Sequence, residues 1–310
     1  MAVLFASSRP LERAENIRAV YNAYDGDKAF TRLSPWRRSP EIRSGKYNLL
    51  VADEFPAESP GRAILLGHGI TGGKVSGLDQ RYPYVSWTDT ILLTYAVTTS
   101  EEMRVISARQ CGIPIERALP LGMPRTDAYF GKKKGDGGTV LSGRRAYLFA
   151  PTYRAREDPP YPEIDWDLLD RLMMDGEVLA VKPHMLTGRW LRKQYRHIIE
   201  IPNTEPSTPY LIDCDVVITD YSSIIFDGYL LGKPAVLFEP NRGYLESRGM
   251  YLEYPGDYTD RYCDAEPGLI RLCRAADGLN KTEKRCMDRV AGACDGHSTE
   301  RVCDLIRSMA

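Results

Sequence analysis

Residues 213–227 read Asp213-Cys-Asp-Val-Val-Ile-Thr-Asp-Tyr-Ser-Ser-Ile-Ile-Phe-Asp227. Val216, Val217 and Ile218 form a short continuous apolar run, the pattern of a strand buried on both faces. Thr219-Asp-Tyr-Ser-Ser223 interrupts it, and an apolar helix is predicted to start at once, over 222–231. A buried strand that turns directly into a helix is the repeating unit of a parallel α/β sheet. Ser222 and Ser223 then stand at the start of that helix, where unpaired backbone N–H groups favour an anion such as a phosphate. Serines also cap ordinary helices, and the spacing alone does not separate the two roles.

The same alternation extends in both directions. Strands are predicted over 2–6, 47–52, 63–66, 91–97, 146–150, 177–181, 197–201, 215–219 and 235–238, and helices over 11–21, 101–110, 166–174 and 207–212. Thr99 or Ser100 caps the second of these helices and Gly112 stops it. Helices separated by Gly278 and Gly296 fill 266–310. Between the two blocks lies Gly131-Lys-Lys-Lys-Gly-Asp-Gly-Gly138, which holds no core element and reads as a linker or exposed loop. Two domains are therefore expected, 1–135 and 136–310, the latter carrying the helical tail.

Composition narrows the function classes. In 310 residues, 41 Lys and Arg balance 42 Asp and Glu, a net charge of −1 that excludes a globally basic nucleic-acid binder. No apolar run approaches the roughly 20 residues of a membrane span, and MAVLFASSRPLER lacks the pattern of a secretion signal. The seven cysteines form no C-x-x-C pair and read as free thiols of a reducing cytoplasm.

Four segments carry candidate chemistry. Gly67-His-Gly-Ile-Thr-Gly-Gly73 matches the dinucleotide-binding fingerprint, but 74–83 lacks helical periodicity and Asp89 falls before the next strand instead of after it. What remains is His68 on a glycine-rich loop at a strand end, a general-base candidate or a histidine in a tight turn. Lys182-Pro-His184 follows another strand and suits a phosphate-rich ligand; His197 and His297 are weaker candidates. Arg154 lies just past a third strand, placed either to grip a phosphate or to pair with a carboxylate. The Asp165/Asp167 and Asp213/Asp215 pairs are explained by a helix start and a strand border, so no metal site is expected.

Taken in order, these segments resemble the CDP-glycerol glycerophosphotransferase family of teichoic-acid primases and polymerases. The resemblance runs over roughly 63–310: Leu66-Gly-His-Gly69 with Gly77-Leu-Asp79, Leu121-Gly-Met-Pro-Arg-Thr-Asp127, Phe149-Ala-Pro-Thr-Tyr-Arg154, Val181-Lys-Pro-His184, Ile218-Thr-Asp-Tyr-Ser-Ser-Ile-Ile-Phe-Asp227 and Asp295-Gly-His-Ser-Thr-Glu-Arg301. Lys182-Pro-His-Met185 departs from it by moving the proline ahead of the histidine, and Ile70-Thr71 replaces Thr-Pro. The resemblance implies a GT-B-like architecture, two Rossmann-like domains facing across a cleft, the first for acceptor and the second for nucleotide. It implies metal-independent, cofactor-free transfer from CDP-glycerol or CDP-ribitol to a lipid-linked polyol-phosphate or glycan acceptor, with release of CMP. His68 would be the base, and His184, Arg154, Ser222 and Ser223 would hold the pyrophosphate. Gly69, Arg125, Lys182 and Asp220 would complete the substrate contacts, with Glu239 toward the cytidine or ribose. The setting implied is cytoplasmic, docked on the inner membrane face, for which Arg37, Arg38 and Lys132 to Lys134 supply positive charge. The alternative is another GT-B enzyme using a UDP-sugar; an NAD-dependent oxidoreductase and a non-catalytic binding module rank below it.

Overall fold

The computed structural model describes residues 2–33, 39–55, 59–67, 69–70, 93–154, 161, 163–184, 187–239 and 250–309. His68, Arg37, Arg38, Met185 and the segment 71–92 with Asp79 and Asp89 lie outside the described residues. In chain order the strands are β1 (Val3–Ser7), β2 (Lys28–Arg32), β3 (Leu49–Ala52), β4 (Ala63–Leu65), β5 (Leu93–Val97), β6 (Ala118–Leu119), β7 (Arg145–Phe149), β8 (Glu177–Val181), β9 (Ile198–Glu200), β10 (Val216–Thr219), β11 (Ala235–Phe238) and β12 (Tyr262–Cys263). The described α-helices are α1 (Glu15–Ala23), α2 (Pro40–Arg43), α3 (Met103–Cys111), α4 (Trp166–Leu172), α5 (Thr208–Asp213), α6 (Ile224–Leu230), α7 (Glu266–Ala275), α8 (Lys281–Ala291) and α9 (Ser298–Ser308).

Two compact units result, one of residues 1–130 with 288–310 and one of residues 131–287. Each is built on a parallel six-stranded sheet, ordered β2-β1-β3-β4-β5-β6 in the first and β12-β11-β10-β7-β8-β9 in the second. In both, the order reverses beside the first strand of the unit, between β1 and β3 and between β7 and β10. Such a switch point leaves a crevice at the strand C-termini where α/β proteins bind ligands.

The strand residues alternate between two helix-covered faces, which is why the strands read as unbroken apolar runs. In the first unit Val3, Phe5, Leu49, Val51 and Ile64 pack with Ile17 and Val20 of α1 and Val302 and Ile306 of α9, while Leu4, Leu50, Ala52 and Leu65 face Ile42 and Cys111. In the second, Tyr147, Phe149, Leu179, Val181, Val216 and Ile218 face α4 and α7 through Leu169, Leu269 and Ile270, and Leu148, Val178, Ala180 and Val217 face Leu211 of α5. All seven cysteines are free thiols, six of them buried. No described helix is long and apolar enough to cross a membrane.

One feature adds to the sequence expectation and another departs from it. The glycine–lysine segment after Gly131 is a defined loop. The buried Asp213 carboxylate accepts the N–H groups of Gly135 (2.8 Å), Gly137 (3.0 Å) and Thr139 (2.8 Å) and the Thr139 hydroxyl (2.8 Å). Burial alone would raise the Asp213 pKa, but these hydrogen bonds hold it below the usual value. Lys134 is anchored as well, on Asp215 at 2.6 Å.

The departure is the C-terminal tail. The sequence reading kept it with residues 136–310, whereas residues 288–310 pack into the first unit. An amphipathic periodicity shows that α9 has a buried face without showing which partner covers it. The partner is specified by contacts distant in sequence. Asp127 accepts the N–H groups of Ser298 (3.0 Å) and Thr299 (2.7 Å) at the start of α9. Arg301 donates to Asp295 (2.8 and 2.9 Å) and to the Leu121 carbonyl (3.0 Å). Gly122, at φ +83°, leaves no room for a side chain, since a Cβ would lie 2.3 Å from Ser298 Oγ and 2.4 Å from the Ala293 carbonyl. Gly122→Ala should therefore combine backbone strain with overpacking and lower the unfolding free energy by about 2–5 kcal/mol. Denaturant unfolding measures this, and a loss below about 1 kcal/mol would contradict the close approach.

Candidate functional site

The second unit's switch point gathers most of the residues singled out from sequence. Strands β11, β10, β7 and β8 are consecutive neighbours, and their C-terminal ends deliver Glu239, Asp220, the Thr152–Arg154 turn and Lys182 with His184. Asp220 is fully buried. Its Oδ1 accepts the Thr152 N–H (2.9 Å), the Thr152 hydroxyl (2.6 Å) and the Tyr221 N–H (2.7 Å). The Thr219 hydroxyl donates to the Ala150 carbonyl at 2.7 Å, so β7 and β10 are latched where they leave the sheet.

Arg154 turns toward these carboxylates. Its Nη2 lies 3.5 Å from Asp220 Oδ2 and 4.0 Å from Glu239 Oε2, and its Nη1 donates to the Tyr221 hydroxyl. The guanidinium also stacks against the rings of Tyr221 and Tyr161, at 5.0 and 5.4 Å. Glu239 is fully buried and the Arg154 side chain is 9% exposed, so among the described residues Arg154 is the cation beside these two buried carboxylates. The geometry thus joins Arg154, Asp220 and Glu239 into one cluster, the carboxylate pairing that was one of the two readings of Arg154, where the resemblance implied pyrophosphate for Arg154 and cytidine or ribose for Glu239.

Lys182 and His184 occupy the next strand end. Lys182 is only 7% exposed, and its Nζ meets the Pro183 and Asn203 carbonyls at 3.3 and 3.4 Å. Burial pushes its pKa below the usual lysine value, partly opposed by Glu205. The exposed His184 ring packs on Tyr153 with centroids 5.0 Å apart, while its carbonyl accepts the Thr187 N–H (2.8 Å) and hydroxyl (2.7 Å). Ser222 and Ser223 are half-buried just ahead of α6. Ser223 is the N-cap residue yet makes no side-chain cap hydrogen bond, and the Ser222 hydroxyl reaches the Ile224 N–H only at 3.5 Å. Capping therefore does not account for these hydroxyls.

The remaining candidates belong to the first unit. Gly69 is half-exposed just past β4. Arg125 lies in the 3-10 turn Pro124–Tyr129, where its Nη1 donates to the Tyr129 hydroxyl at 2.5 Å. The 121–127 and 295–301 motifs meet each other, and their contacts are those that fasten α9.

One residue at this unit's switch point was not anticipated. Asp53, directly after β3, is 3% exposed; its Oδ2 accepts the Ser7 hydroxyl at 3.1 Å, and its Oδ1 has no hydrogen-bond partner among the described residues. Burial pushes its pKa up to about 6. The sequence signal was an Asp-Glu pair closing a buried strand, but it lies ahead of the segment in which the motifs resemble a family.

Two parallel Rossmann-like units, with a polar cluster at the switch point of the second, define a GT-B-like protein. The chain belongs to the CDP-Glycerol:Poly(glycerophosphate) glycerophosphotransferase family, whose model matches residues 63–308. It is 27% identical over 237 residues to a teichoic acid poly(ribitol-phosphate) polymerase of Bacillus spizizenii, covering 69% of this chain and 37% of that protein. It is 28% identical over 222 residues to a teichoic acid glycerol-phosphate primase of Bacillus subtilis, covering 69% and 58%. The chain thus spans about half the length of these curated relatives. Its fold is similar to the wall teichoic acid polymerase TagF (TM-score 0.79, 18% identity, 99% of this chain and 88% of that one). It is also similar to a TagF variant soaked with CDPG (TM-score 0.73, 17% identity, 99% and 88%) and to UDP-GlcNAc 2-epimerase from Neisseria meningitidis (TM-score 0.60, 9% identity, 99% and 100%).

Two outcomes follow from this geometry. Arg154→Met should remove the cation beside the buried Asp220 and Glu239 carboxylates and cost about 3–5 kcal/mol in denaturant unfolding; an unchanged midpoint would contradict the cluster. Asp53 is expected to act with the opposite sign. Its folded pKa of about 6 exceeds the unfolded value of about 3.9, so the folded state binds the proton more tightly. Stability is then full below about pH 4, falls toward pH 6 and stays low above it. Asp53→Asn should raise the unfolding free energy at pH 7 by about 2–3 kcal/mol and flatten that pH dependence. A destabilised variant would contradict it.

Proposed function

We propose that the chain transfers a polyol phosphate, glycerol phosphate foremost, from a CDP-polyol to a hydroxyl of a lipid-linked polyol-phosphate or glycan acceptor and releases CMP. The observation that carries this reading is the placement of Lys182 and His184 after β8 and of Asp220, Ser222 and Ser223 after β10, the two strands that flank β7 beside the switch point, within the span matched by the family. The CDPG-soaked TagF of the same fold supports the donor class.

In the proposed reaction the acceptor oxygen attacks the β-phosphorus. A phosphorus–oxygen bond forms to the acceptor as the bond from that phosphorus to the α–β bridging oxygen breaks, and the electron pair leaves on CMP. His68 takes the acceptor proton. Lys182 supplies charge at a partly desolvated position, and His184 and the Ser222 and Ser223 hydroxyls donate hydrogen bonds to the phosphates as charge moves onto CMP. Arg154 adds positive charge while remaining held by Asp220 and Glu239. Those carboxylates are occupied by Thr152, Tyr221 and Arg154, which favours a transfer needing no divalent ion. We place the enzyme on the cytoplasmic membrane face, with exposed Lys132 and Lys133 among the residues meeting anionic lipid.

Steady-state CMP release from CDP-glycerol and CDP-ribitol, with a polyol-phosphate acceptor and with or without EDTA, tests the reading. Turnover with a CDP-polyol should persist in EDTA, and His184→Ala should lower kcat by about 10²–10³-fold while the protein stays folded. Full activity of His184→Ala would remove that residue from the site. The fold shared with UDP-GlcNAc 2-epimerase sustains one competing reading: turnover of a UDP-sugar with none of a CDP-polyol would replace phosphotransfer by sugar chemistry.

A further inference from the structure

We propose that Asn16 is a positioning residue for the transfer, fixing the backbone turn that leads into residue 68; the inference rests on His68 being the base. Asn16 is the second residue of α1 and is 2% exposed. Its Nδ2 donates to the Gly67 carbonyl at 2.9 Å and reaches Met123 Sδ at 2.8 Å, while its Oδ1 accepts the Arg125 N–H at 2.9 Å. A primary amide is the uncharged side chain that donates and accepts from one rigid plane, so this single group couples two loops.

Each loop was singled out from sequence for another reason. Gly67 is where the chain leaves the sheet after β4, and it adopts the left-handed conformation with φ +70°. Its carbonyl belongs to the peptide that joins it to residue 68, and the Asn16 amide holds that carbonyl. Met123 and Arg125 belong to the motif turn that also carries Asp127, and Asp127 is bonded to the start of α9. Gly67 is thereby tied to a turn that is itself fastened to α9. A buried amide with both ends satisfied holds its partners closely, because losing either end leaves a desolvated polar group. Asn16 lies ahead of the family-matched residues 63–308, so the motifs say nothing about it.

The test compares Asn16→Ala, Asn16→Asp, His68→Ala and the double variant Asn16→Ala/His68→Ala in full-length protein. Thermal unfolding and calorimetric CDP-glycerol binding are recorded beside CMP release. Asn16→Asp keeps an acceptor for the Arg125 N–H but, when ionised, cannot donate to Gly67, and it serves equally if the alanine variant does not fold. Misplacing a reacting group by about 1 Å costs on the order of 10²-fold. Both Asn16 variants should therefore lose about 10²-fold in kcat with unchanged donor KM and donor binding. Because the effect runs through residue 68, the double variant should be no slower than His68→Ala alone.

Either Asn16 variant folding with wild-type kcat would overturn the proposal, as would a double variant slower than His68→Ala by the full Asn16 factor. Equal losses in kcat and donor binding would likewise reduce Asn16 to a general structural residue. A fully active His68→Ala would sink the base assignment, and this inference with it. An inactive His68→Ala beside a fully active Asn16→Ala would sink this inference alone.

Discussion

The Asp220 carboxylate is the constraint on which the second unit's strand-end cluster depends. One oxygen collects two backbone N–H groups and a hydroxyl, and the other faces Arg154. Through that carboxylate, the ends of β7 and β10 are fixed at the point where the strand order reverses. Tyr153 and Arg154 are placed by the same turn. Tyr153 in turn packs on His184, and Arg154 reaches Glu239. A buried network of this kind favours one arrangement only when every member is satisfied. Asp220 Oδ1 is satisfied by loop backbone and the Thr152 hydroxyl, so the positions of these loops and of that charge are set together.

The first unit uses the same device with different residues. Asn16 joins the Gly67 and Arg125 turns, and Asp127 joins the second of these turns to α9. Several residues that carry the family resemblance, among them Gly122, Asp127, Asp295 and Arg301, thus fasten backbone to backbone. Asp53 contrasts with them. It is buried with one oxygen unsatisfied among the described residues and its pKa raised, an arrangement that lowers stability at neutral pH. Groups held in that way concentrate at working sites.

Much of this was legible in the sequence, for identifiable reasons. Strands buried on two faces read as apolar runs, and β8 and β11 fall where those runs predicted them, because a parallel sheet covered by helices leaves no polar alternation to blur the signal. The strand-end placement of the candidate residues was legible too, since α/β sheets present loop residues at strand C-termini. Elements of low apolar content were missed: β2 is a half-exposed edge strand, and β6 and β12 are two residues each. The return of α9 to the first unit was not legible, because an amphipathic face does not name its partner. Nor was the inward turn of Arg154, which depends on two carboxylates 66 and 85 positions further along the chain. Asn16 carried no motif signal; its role arises from three distances that only the fold creates.

The central claim is that the second unit's switch point is built for the diphosphate of a cytidine donor. Calorimetric titration of the purified chain with CDP-glycerol, CDP-ribitol, UDP-N-acetylglucosamine and NADH tests it most directly, each run with and without EDTA and repeated on Lys182→Ala. The account expects binding of a CDP-polyol alone, indifferent to EDTA and weakened in Lys182→Ala. Preference for the UDP-sugar, or CDP-polyol binding untouched by loss of Lys182, would contradict it.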